Sequence, residues 1–186
     1  WSSDVCSSDL GRDAMREKSY GIWRRWNWAE MCEQVHVLAY GLSRLGIARG
    51  DRVALIGDNR PRLYWSIAAL QALGAVPVPL FPDAYSPELA ARLTQVKARF
   101  AIVEGQEEVD NLLEAMADNP GLAGTLAGIL YDRPRGMRRY TQPILHTLDD
   151  VMDQGAAAAL ERPSWLTAEI AAGRAEDAAI ILFTSG

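Results

Sequence analysis

Cysteine is nearly missing from this chain of 186 residues, which holds Cys6 and Cys32, and histidine is equally scarce, with His36 and His146. So few thiols exclude a disulfide framework and fit a reducing compartment, with the cytoplasm the expected location. No Cys/His cluster has metal-ligand spacing. A basic surplus is lacking as well: the net charge is −5, or −3 once Asp4 and Asp9 are set aside with the opening residues. That mild acidity argues against a nucleic-acid partner. No run reaches the roughly 18 apolar residues that would suggest a membrane span, and no positively charged leader precedes an apolar run. Neither G-x-x-x-x-G-K-[ST] nor G-x-G-x-x-G occurs, so a P-loop NTPase and a Rossmann dinucleotide site are both unsupported. There is no repeat of solenoid length.

Residues 1–10, Trp1-Ser2-Ser3-Asp4-Val5-Cys6-Ser7-Ser8-Asp9-Leu10, follow no structural pattern. Codon by codon they are compatible with the tail of a common sequencing-library adapter. The segment is therefore expected to be a processing scar and is left out of the fold reasoning, which treats 11–186 as the protein proper.

What is present is an alternation. With 49% hydrophobic and 23% charged residues, the composition suits one packed domain or part of a larger one. Tyr20 to Trp26 reads as a strand or hairpin arm. Asn27 and Glu30 form a capping box for a helix whose stripe is Met31, Val35, Leu38, Leu42 and Leu45, stopped by Gly46. Val53 to Ile56 reads as a buried strand, followed by a helix capped near Asn59 with Pro61 in its first turn. Val76 to Leu80 is extended, and Pro77 and Pro79, each lacking a ladder donor, favour an edge or irregular strand. Ser86-Pro87-Glu88 opens a third helix. Phe100 to Val103 is a short strand, Glu107 to Ala117 a helix and Leu126 to Tyr131 a strand. Asp132 to Arg139 is expected to be a loosely held loop. Helices follow over Thr147 to about Leu160, weakened by Gly155, and over Ser164 to Ala172. The pattern predicts an α/β fold with a largely parallel sheet flanked by helices.

Isolated reactive residues carry little. His36, beside the stripe of the first helix, and His146, ahead of a later one, lack motif partners and are expected to be structural. Cys32 is expected to be a small packing residue. Trp23, Arg24, Arg25, Trp26 and Trp28 admit a membrane-surface or nucleic-acid reading. The favoured reading is a hairpin packing its aromatic face on the first helix, since two arginines are too few for stable anchoring by charge.

The chain closes on Ala178-Ala179-Ile180-Ile181-Leu182-Phe183-Thr184-Ser185-Gly186, an apolar run entering a hydroxyl-and-glycine loop. Such a strand, apolar on both faces, is expected to be central in a sheet. The loop suits phosphate binding through backbone N–H groups and hydroxyls, although Thr-Ser-Gly alone is common in turns. Gly21-Ile22-Trp23, Trp28-Ala29-Glu30, Arg49-Gly50-Asp51-Arg52-Val53-Ala54, Gly57-Asp58-Asn59-Arg60-Pro61 and Gly74-Ala75-Val76-Pro77-Val78-Pro79-Leu80 precede it in that order.

Taken together, these segments resemble the N-terminal third of acyl-adenylate-forming enzymes, most closely bacterial long-chain acyl-CoA synthetases. The resemblance runs from about Lys18 to Gly186. It implies that residues 11–186 are the opening part of the large AMP-binding domain of a fatty acid:CoA ligase. It also implies that Thr184, Ser185 and Gly186 begin the loop T-S-G-[ST]-[ST]-G-x-P-K, which cradles ATP phosphates. The implied co-substrates are ATP, with Mg²⁺, and coenzyme A, acting on a fatty acid. No nucleic-acid partner is implied, and contact with the inner face of a membrane is left open. Catalytic and metal-binding residues of that family would lie beyond Gly186. Two rivals stand: another adenylate-former, such as an aryl-CoA ligase, a luciferase-like oxidase or an adenylation module, and a small non-enzymatic α/β binding module.

Overall fold

A computed structural model describes residues 9–82 and 84–184. The chain opens on an antiparallel hairpin, β1 (Asp13–Ser19) and β2 (Ile22–Asn27), and enters helix α1 (Trp28–Arg44) directly. The expected capping box starts that helix. Glu30 N–H donates to Asn27 Oδ1 at 2.9 Å, and Asn27 N–H donates to Glu30 Oε2 at 2.8 Å. Two orphan donors at the helix N-terminus are thereby satisfied. The predicted stripe lies inward: Leu38 and Leu42 are fully buried, and Met31, Val35 and Leu45 pack on the same core.

Five parallel strands make the main sheet: β3 (Arg52–Ile56), β4 (Val76–Leu80), β5 (Phe100–Val103), β6 (Gly128–Tyr131) and β7 (Leu145–Thr147). Their order is β4-β3-β5-β6-β7. The crossover helices are α2 (Pro61–Ala72), α3 (Ser86–Val96), α4 (Gln106–Asp118) with the short α5 (Pro120–Thr125), then α6 (Leu148–Glu161) and α7 (Trp165–Ala171) after the last strand. Alternate strand residues feed two cores. Val53, Leu55, Phe100, Ile102 and Leu130 face α1, α2, α6 and α7. Ala54, Ile56, Ala101, Val103 and Ile129 face α3, α4 and α5. Both faces of the sheet are thus covered, as a parallel sheet requires.

The predicted edge assignment for β4 is met, and the ladder shows why prolines suit it. Ile181 N–H donates to the Pro77 carbonyl at 3.0 Å from outside the sheet, so the backbone of Pro77 faces away from β3. Residues 77 and 79 share that side. The missing donors therefore fall on the outer edge, and the inner ladder to β3 stays intact.

That geometry overturns the expectation for Ala178 to Phe183. Residues 178–184 form no strand and lie outside β4 rather than centrally in the sheet. Ile181 and Phe183 are half-buried against the second core, while Ile180 and Leu182 face solvent. A segment laid beside two prolines finds carbonyls and few donors, so a regular ladder cannot form. Three other readings are corrected. The Asp132 to Arg139 loop is held at its base, where Asp132 N–H reaches Val103 O at 3.0 Å and Arg133 N–H reaches Glu104 O at 2.8 Å, and Met137 is buried. Gly155 does not weaken α6: a Cβ there would overlap the Val37 carbonyl, and a Cβ at Gly41 would overlap the Val151 carbonyl, so these glycines let α1 and α6 cross closely. Cys32 is exposed, not a packing residue.

Candidate functional site

The strand order places a switch point between β3 and β5. The chain leaves β3 towards β4 on one side and returns to β5 on the other, which opens a crevice at the carboxyl ends of the strands. Gly57 follows β3 there and Glu104 follows β5. A Cβ on Gly57 would stand 3.0 Å from Glu104 Cβ, so the close approach of the two chain segments requires glycine.

Glu104 is the hub of this edge, with a side chain only 14% exposed. Its Oε2 accepts the Asp58 N–H at 2.9 Å, and its Oε1 accepts Arg60 Nε at 2.9 Å. Arg133 Nη1 pairs with the same Oε1 at 2.8 Å. Arg60 then reaches the hairpin, donating from Nη1 to Glu17 Oε1 at 2.8 Å. Its guanidinium is held above the ordinary value, chiefly by that hydrogen bond to Glu17. The Gly57-Asp58-Asn59-Arg60-Pro61 run thus combines a close-packed glycine, a donated backbone N–H, a clamp arginine and a helix-starting proline at N1 of α2.

Beside it, Arg62 Nη1 bridges Asp132 Oδ1 at 2.8 Å and Asp149 Oδ1 at 2.7 Å. Burial works to lower the Arg62 value, and the two carboxylates outweigh it, leaving it raised. Burial pushes the Asp132 carboxyl up, and the charge of Arg62 opposes that shift without cancelling it. A polar cleft of about 390 Å³ opens between these residues and the hairpin, walled by Glu17, Arg24, Trp26, Arg60, Arg62 and Asp149. Arginines matched by carboxylates make a clamp that fixes loops. Among the described residues no group of three or more His, Cys, Asp or Glu could hold a metal ion.

Of the three residues expected to bind phosphate, Ser185 and Gly186 lie outside the described residues, and Thr184 is exposed. The segment leading to Thr184 is tethered at three points. Gln71 Nε2 donates to Ala179 O at 3.0 Å, Ile181 meets Pro77, and Phe183 lies under the Arg92 guanidinium at 5.0 Å. Ala179 sits at the end of α2 and Ile181 at the start of β4, so the segment runs in the same sense as the strand beside it. His36 packs against the Tyr40 ring at 4.9 Å, and His146 lies in β7; neither joins the crevice. The clamp residues Glu17, Glu104, Asp132 and Asp149 were not singled out from the sequence. Their only signal was position, since Glu104 and Asp132 each follow an apolar strand.

The family described as AMP-binding enzyme matches residues 6–186. The long-chain-fatty-acid–CoA ligase FadD15 of Mycobacterium bovis is 29% identical over 168 residues, covering 89% of this chain and 25% of that protein. The 2-succinylbenzoate–CoA ligase of Salmonella typhimurium is 33% identical over 87 residues, 46% of this chain and 19% of that protein. This chain therefore spans about a quarter or less of the length of these curated relatives. Among solved structures, the coronafacic acid ligase of Pectobacterium brasiliense shares the fold with a TM-score of 0.62 at 17% identity, over 70% of this chain and 25% of that one.

Proposed function

The chain belongs to the AMP-binding enzyme family, and from that premise we propose that it is the opening part of an ATP-dependent long-chain fatty acid:CoA ligase. One observation carries the choice of acid: the match to a long-chain-fatty-acid–CoA ligase runs along 89% of the chain, whereas the match to a 2-succinylbenzoate–CoA ligase runs along 46%. The reaction has two halves. A fatty carboxylate oxygen attacks the α-phosphorus of ATP, and the bond to the pyrophosphate oxygen breaks. The thiolate of coenzyme A then attacks the acyl carbonyl, and AMP leaves with the bonding pair.

In this reading Thr184, Ser185 and Gly186 offer hydroxyls and backbone N–H groups to the β- and γ-phosphates, holding the leaving pyrophosphate. The tether of Ile181 and Phe183 to β4 and Arg92 supports that role by fixing the approach to the loop. Mg²⁺ is expected to accompany the ATP phosphates, but the described residues offer it no cluster of ligands, so we assign it none. The working location is the cytoplasm, with peripheral contact to the inner face of the membrane that supplies the acid.

ATP–pyrophosphate exchange by the longer protein that carries this chain tests the proposal. Exchange driven by palmitate and not by 2-succinylbenzoate or anthranilate is expected. Exchange with the aromatic acids alone would transfer the chain to the aryl branch. The 33% identity to the succinylbenzoate enzyme makes that the second reading.

A further inference from the structure

The β1–β2 hairpin has an outer end that the clamp does not use. Its inner face is spoken for: Met15 and Trp26 pack on the first core, Trp26 meets Trp65 edge-on at 5.5 Å, and Glu17 holds Arg60. The register pairs Arg16 with Arg25 and Lys18 with Trp23 on the opposite face. Arg16 and Lys18 lie over the Trp23 ring at 5.2 and 5.9 Å, and Arg25 meets Asp13 at 3.4 Å. Two cations thus stack on an aromatic ring, and a third, paired with a carboxylate, is exposed on the same face of the hairpin.

The turn is stranger still. Tyr20 is 96% exposed, Ile22 70% and Trp23 54%. Tyr20 also adopts φ +49°, a left-handed conformation that a bulky side chain rarely takes. A tight hairpin turn of this kind prefers Asn or Asp before its Gly21. A large aromatic held in an unfavourable backbone state, with none of the described residues folded against it, is placed for contact with a partner.

We propose that this hairpin is a membrane-contact device, with Tyr20, Ile22 and Trp23 entering the headgroup layer of an anionic bilayer while Arg16, Lys18 and Arg25 face its phosphates. Tyrosine and tryptophan favour that layer because one end of each ring system is apolar and the other polar. Cations flanking them add attraction to acidic lipid. A second copy of this chain fits less well. The three tip side chains offer on the order of 400 Å², against roughly 800 Å² per partner in a stable protein interface. A projecting tip suits insertion into a soft layer rather than docking on a rigid one. Two arginines are indeed too few for anchoring by charge. Three cations joined to three apolar tip residues are enough for reversible contact.

The inference deepens the membrane part of the proposed function and needs neither ATP nor an acid. Its failure would leave the ligase assignment standing, and failure of the ligase assay would leave it untouched. The test is flotation of the full chain with vesicles containing about one-third phosphatidylglycerol in phosphatidylcholine, against phosphatidylcholine alone. Binding to the acidic vesicles is expected, with a blue shift in tryptophan emission that W23F removes. The pair R16Q/K18Q is expected to weaken it about 25-fold, from about fivefold for each charge near an acidic surface. Tyr20→Gly relieves the left-handed strain, so it retains the fold and is expected to lose binding together with W23S. Equal binding to both vesicle types, or binding indifferent to these changes, would overturn the proposal. So would a shift in oligomeric state on size-exclusion chromatography, which would give the hairpin to a second copy.

Discussion

Arg62 holds Asp132 at the base of the 132–139 loop, and this pair shows how a single side chain couples loop position to pH. Because burial raises the Asp132 value above that of an unfolded aspartate, the folded chain binds that proton more tightly. The stability this group contributes is present at acid pH and declines as pH rises through the raised value. Removing the cation by Arg62→Met enlarges the shift. The variant is expected to lose about 1–3 kcal/mol near neutrality, with a much smaller deficit well below the ordinary aspartate value of about 3.9, where the carboxyl is protonated in both states. Urea unfolding at several pH values measures this, and a deficit independent of pH would show that packing, not the charge, was lost. At Thr184 the expectation concerns chemistry. In the longer protein, T184A/S185A is expected to lower adenylate formation about 10²-fold or more, the scale for losing preorganised donors to developing charge. Thioester formation from a supplied acyl-adenylate is expected to suffer far less, since pyrophosphate takes no part in it. Equal losses in both half-reactions would make the two residues structural.

Between elements, the α1–α6 crossing is the most constrained contact. An alanine at a free helix position gains up to about 1 kcal/mol over glycine. At Gly155 the added methyl overlaps a backbone carbonyl, which no rotamer change relieves, so the helices must move apart. Gly155→Ala is therefore expected to destabilise by about 1–3 kcal/mol. Gly124→Ala, with nothing within 4 Å of the new methyl, is expected to be neutral or stabilising. Chemical denaturation of both variants checks the contrast, and a stabilised Gly155→Ala would mean that the crossing is looser than described. The proline edge has its own signature. Pro79→Val restores an outward donor, and slowed hydrogen exchange at that new amide is expected as residues 178–184 pair with β4. Fast exchange there would show that the segment stays unpaired for other reasons.

For the whole molecule, the balance of cover matters. Both sheet faces carry helices, and the terminal apolar segment lies along an edge blunted by prolines. The 186-residue chain is accordingly expected to unfold in one cooperative transition while showing no ATP–pyrophosphate exchange. Calorimetry and the exchange assay read the two separately. A broad, non-cooperative melt would show that these covered faces do not hold the sheet together, and measurable exchange would mean that the described residues hold more of the reaction than a loop entrance.

Alone, the amino-acid sequence determined whatever depends on neighbours along the chain. Periodicity and caps marked α1 from Asn27, prolines put β4 at an edge, and short apolar runs located β3, β5 and β6. β1, β7 and α5 escaped because none of them carries an apolar run or a readable period. The ordered run of segments from Gly21 to Gly186 was also enough for the family. Tertiary structure decided whatever depends on partners distant in sequence. Glu104 became a hub only when β5 lay beside β3, bringing it to Asp58 and Arg60, which are more than forty residues earlier in the chain. Gly155 turned from a helix weakener into a helix contact only against Val37. The run from Ala178 to Phe183 is hydrophobic enough for the middle of a sheet, but whether a strand forms there rests on the donors its neighbour presents. Two prolines on the outer side of β4 had withheld them.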